Sequence, residues 1–131
     1  MNKLVSVLLI VLAAWSSFAD DSGVVVPDRE VQIGLNGVYV PAGQDTRADA
    51  YVVVNGVFQN GCYKWSRAET INKDDFNHDV ISMAKVTPGM CIMVLIPFQK
   101  EVKLGHLKSG KHILKFVNGD GTYLEKTLVV E

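Results

Sequence analysis

Cys62 and Cys91 are the only two cysteines in the 131-residue chain. They are not in a Cys-x-x-Cys arrangement, and no His/Cys pair at zinc-finger spacing accompanies them. Two thiols of that kind suit a single structural disulfide formed in an oxidising compartment. A redox pair or half of a metal site would need partners that the spacing does not supply.

Other residue types invite chemistry and then fall short. Asp74, Asp75, His78 and Asp79 lie together in "KDDFNHD". Oxygen-rich clusters bind calcium, but the alternating carboxylates, central glycine and closing glutamate of an EF-hand are absent. Met83, Met90 and Met93 with nearby histidines point to copper, since thioethers suit Cu(I), and His78, Asp79, Met90 and Met93 are the candidate metal ligands. The plainer reading makes this cluster a solvated loop and the methionines fillers of apolar gaps. No metal or other cofactor is therefore expected. His106 and His112 flank a turn, and no Gly-x-Ser-x-Gly elbow is present. The reading is a protein that is not an enzyme.

The elements that would position these residues begin after a leader. "MNK" gives a positive start, residues 4–14 form a short apolar run, and Ser17 and Ala19 stand one position apart. This is the pattern of a signal peptide over residues 1–19, cut between Ala19 and Asp20. The apolar run is too short to cross a membrane of about 30 Å. Residues 20–131 are then expected to be one exported domain, secreted or periplasmic, with no transmembrane segment. The formal charge is −1, one unit more negative without Lys3. No basic excess points to nucleic acid.

From residue 20 onward, short β-rich runs alternate with turn signals and no helical period persists. Strands are expected near residues 24–35, broken by Pro27, and near 38–40, 50–58, 62–70, 80–86, 90–104, 111–117 and 122–131. The run "GMCIMVLIPF" predicts a central, covered strand, with Ile92, Val94, Ile96, Phe98, Val102 and Leu104 facing the core. The odd face, Met93 and Leu95, is unusually apolar and is a candidate surface for a partner or a second copy. Tyr63, Trp65, Arg67 and Glu69 share a face by parity. The cysteines should then join near one rim. Polar loops near residues 42–49 and 71–79 are the other candidate recognition elements. About seven strands of this length predict an all-β protein: two antiparallel sheets packed face to face.

One stretch carries a resemblance. Leu104, Leu107, Gly110, Leu114 and Phe116 in "LGHLKSGKHILKFVNG" resemble the corner before the sixth strand of immunoglobulin-like and fibronectin type III-like domains. The resemblance implies an immunoglobulin-like β-sandwich, with the leucines plugging one end and Gly110 allowing the corner. His112 stands where that corner has its tyrosine, so the corner hydrogen bond survives only if the imidazole takes it over. The cysteines are not on the strands that carry them in antibody domains. The fold leaves function open. The reading is a binding or interaction module, with periplasmic copper handling and a small protein inhibitor as alternatives.

Overall fold

Alternation in the sequence becomes alternation of buried and exposed side chains along eight strands. The computed structural model describes residues 27–131, so the expected cleavage site at Ala19 and Asp20 lies outside the described residues. The strands are β1 (Arg29–Ile33), β2 (Gly37–Tyr39), β3 (Ala50–Phe58), β4 (Tyr63–Asn72), β5 (Asn77–Val86), β6 (Ile96–Gly105), β7 (Gly110–Val117) and β8 (Tyr123–Val130). No helix occurs among the described residues.

Two sheets form a sandwich. The smaller has the order β2-β3-β6. In the larger, β5 pairs along one edge with β4. Its other edge is shared: β1 pairs antiparallel with Ser82–Val86, and β7 pairs in parallel with Asn77–Ile81. β8 lies outside β7. Pairing is thus antiparallel except between β5 and β7. Two hydrogen bonds join β1 and β7 where they meet: Gln32 Nε2 donates to Val117 O (3.0 Å) and Leu35 N–H to Asn118 Oδ1 (3.2 Å).

Even-numbered residues fill the space between the sheets. Val52, Val54, Val80, Val102, Leu104, Leu114, Phe116, Leu128 and Val130 are buried there, and Leu107 closes one end. At the other end Tyr63, Phe58, Phe98 and Trp65 form an aromatic chain, with successive ring centroids 5.9, 4.3 and 5.7 Å apart. Gly56 makes the room this needs: a Cβ there would stand 2.5 Å from the Phe98 ring.

Three local expectations change. The run from Met90 to Leu95 is not a strand; β6 begins at Ile96 and pairs only with β3, so it is an edge strand. Pro97, which has no N–H to donate, fits such an edge. Ile92 and Val94 are exposed rather than core-facing, because the disulfide and the crossing between sheets take this stretch away from both ladders. In β4 the register shifts between Trp65 and Arg67. Trp65 and Ala68 therefore pack on the core, while Arg67 and Glu69 pair with each other outside. Finally, residues 71–79 are a tight hairpin turn rather than a long loop, since β4 reaches Asn72 and β5 starts at Asn77.

Candidate functional site

Residues 87–95 cross from β5 to β6 over one end of the sandwich, and the chain clamps them from below. The Cys62–Cys91 disulfide joins the β3–β4 turn to the middle of this loop, with Cα atoms 5.3 Å apart. The bond lies near one rim, as expected, but not by the strand parity that led there, since residues 90–95 are not a strand and Cys62 is buried. Gly61 N–H donates to Ile92 O (2.8 Å) and Thr87 N–H to Cys62 O (3.0 Å). Asn60 Oδ1 accepts from Cys62 N–H (2.9 Å), which fixes the turn on the other side of the bond. The two segments run in close contact, with the Cβ position of Gly61 3.4 Å from Ile92.

What the clamp holds up is apolar. Met90, Ile92, Met93, Val94 and Leu95 are 51–104% exposed. The expected surface of Met93 and Leu95 is therefore larger than the sequence implied, because side chains of both parities face solvent once the stretch leaves the sheet. Residues 87–95 contain no charged side chain. A cavity of about 550 Å³ beside the disulfide has Arg29, Asn60, Tyr63 and both cysteines among its walls.

A second cluster lies at the opposite end of β5. His78 and His112 are 3% and 0% exposed, and their rings face each other across the parallel β5–β7 pair. His112 Nε2 lies 2.7 Å from Lys108 O, so that nitrogen carries the proton. The other nitrogen, Nδ1, then accepts from His78 Nε2–H at 2.8 Å. His78 Nδ1 lies 2.6 Å from Asn72 Oδ1. An oxygen there accepts from a protonated His78 ring; a neutral ring with its proton on Nε2 needs the amide turned so that its N–H faces Nδ1. Burial, and then the neighbouring His112, hold the His78 imidazole below its ordinary value, with Asp74 and Asp75 opposing. Every ring nitrogen is occupied, so the pair joins β5 to β7 and to the turn before it.

The imidazole of His112 thus bonds to the backbone four residues back, at Lys108 O. Leu104 and Leu107 are buried beneath it, and Gly110 turns the chain with φ 136°. A Cβ on Gly110 would stand 2.9 Å from the Phe76 ring. His78 was legible only as a member of a polar cluster; its pairing with His112 depends on a parallel contact that no local pattern announces.

The four copper candidates do not converge. His78 points inward with its nitrogens used, Asp79 faces out and pairs with Lys73 (3.1 Å), and Met90 and Met93 sit beyond the far end of β5. Asp74 accepts from Phe76 N–H and Asn77 N–H (both 2.8 Å), and these contacts and the Asn77 side chain hold its carboxyl below the usual range. Asp75 pairs with Lys108 (2.6 Å). Among the described residues no three His, Cys, Asp or Glu side chains form a metal-binding group. No described helix is long and apolar enough to cross a membrane. In the loop near residues 42–49, Gln44 is buried, donating to Pro41 O and Tyr51 O and accepting from Tyr51 N–H.

A family model for the ORF11 beta-sandwich domain matches residues 52–130, from β3 to the end of β8. No curated protein matches the chain, and no solved structure does.

Proposed function

The chain belongs to the ORF11 beta-sandwich domain family, and we propose that it is an exported, non-catalytic binding module whose recognition element is the loop at residues 87–95. One observation carries this reading: five exposed apolar side chains on an uncharged loop fixed by a disulfide and two backbone hydrogen bonds. Contiguous exposed apolar side chains mark interaction sites. A clamped loop also loses less conformational freedom on binding than a loose one.

Export is supported by the disulfide and by the leader-like residues 1–19. The absence of catalysis from this reading is supported by the inward, mutually bonded histidines. The immunoglobulin-like relationship belongs to the same proposal. Its support is the corner at Leu104, Leu107, Gly110 and His112, which lies where β6 crosses to β7.

The test is a photo-crosslinking amino acid placed at position 93, at position 95, or on β8 at position 126, in the full chain expressed in cells that export it. The reading expects discrete adducts from 93 and 95 and none from 126. Equal labelling at all three positions, or none from the loop, would contradict it.

A further inference from the structure

We propose that the loop at residues 87–95 seats on an anionic lipid surface, with Arg29, Lys64 and Lys85 as a cationic collar beneath it; this rests on the loop being the recognition element. Three observations lead there. First, the loop is a convex tip. Met90, Ile92, Met93, Val94 and Leu95 are exposed at both parities, so they point to several sides rather than forming one flat face. A fluid apolar phase conforms to such a tip.

Second, the side chains of the loop offer little directional recognition: Thr87 carries their one hydroxyl, and none is charged. A bilayer needs only the apolar surface those side chains present.

Third, the base of the loop is cationic. Arg29 pairs with Val86, the residue before the loop, and walls the cavity beside the disulfide. Lys64 and Lys85 stand directly opposite each other across β4 and β5, one position further down. Like charges in that position repel. All three side chains are exposed, and among the described residues none forms an ion pair. Glu30, beside Lys85 in the register, is taken by Arg67 at 2.8 Å, which leaves Asp28 as the acid next to the collar. Apolar side chains below the headgroups, with long cationic side chains reaching up to lipid phosphates, give the two signals that stable surface binding requires.

The test is co-sedimentation with vesicles, using protein expressed from its full reading frame with the Cys62–Cys91 bond intact. Vesicles of phosphatidylcholine with phosphatidylglycerol should bind it at least about tenfold more tightly than phosphatidylcholine alone, and raised salt should erase the difference. M93S/L95S should lose at least about tenfold on both vesicle types. K64E/K85E should lose at least about tenfold on the anionic vesicles only. K111E/K126E, the same charge change on β7 and β8, should bind like wild type. No uptake by the anionic vesicles, or uptake that M93S/L95S retains, overturns the proposal. So does a protein adduct in place of a lipid adduct at position 93, an outcome that leaves the loop as the recognition element.

Discussion

His112 returns one nitrogen to the Lys108 carbonyl and gives the other to His78, so a single side chain closes the β6–β7 corner and ties β7 to β5. Both rings are buried. The His78 imidazole is held low, chiefly by burial, so the folded protein binds fewer protons than the unfolded chain just below the ordinary value of 6.5. Stability from this site is therefore fully present above pH 6.5 and is lost as pH falls from there toward the lowered folded value. Urea unfolding followed from pH 7.5 to 5 should show midpoints falling with pH, and H78Q should flatten that slope. His112 was legible as a residue following the turn before β7. Its partner was hidden, because their contact spans 34 positions and needs two strands to run parallel.

Among the elements, β3 and β6 show how small changes set the geometry of the loop end. Gly56 is buried on β3 at the position where the tip of the Phe98 ring comes up against the backbone. G56A would drive a methyl group into that ring and displace the Phe58–Phe98–Trp65 chain; a loss of about 2 kcal/mol is expected in denaturant unfolding, within the usual range for overpacking. The inward parity of Val102 and Leu104 was readable, since that part of β6 keeps a two-residue period. The apolar run before Ile96 was read as strand for the same reason. Periodicity reports which residues are apolar, but a ladder partner decides whether they are buried, and residues 90–95 have none. The bulge in β4 escaped notice because nothing in "YKWSRAET" marks where the register shifts.

At the scale of the whole molecule, a sandwich with an ordinary core carries one sulfur crosslink between sequence positions 29 apart. Closing a loop of that size is worth about 3.5 kcal/mol in the chain-entropy treatment. C62S/C91S should therefore melt well below wild type while keeping the same β signature by circular dichroism. Two sheets and the disulfide were legible from alternation and cysteine count. The larger sheet's shared edge, with β1 and β7 end to end against β5, was not, because it rests on long-range pairing alone. The account turns on the loop being supported from below and open above, so that its apolar side chains serve binding and not the core. Urea unfolding of M93S/L95S in the otherwise intact chain tests that most directly. Side chains 79% and 72% exposed should leave the unfolding free energy within about 0.5 kcal/mol of wild type. A loss of more than about 2 kcal/mol would show those residues packed inside the fold and contradict the account.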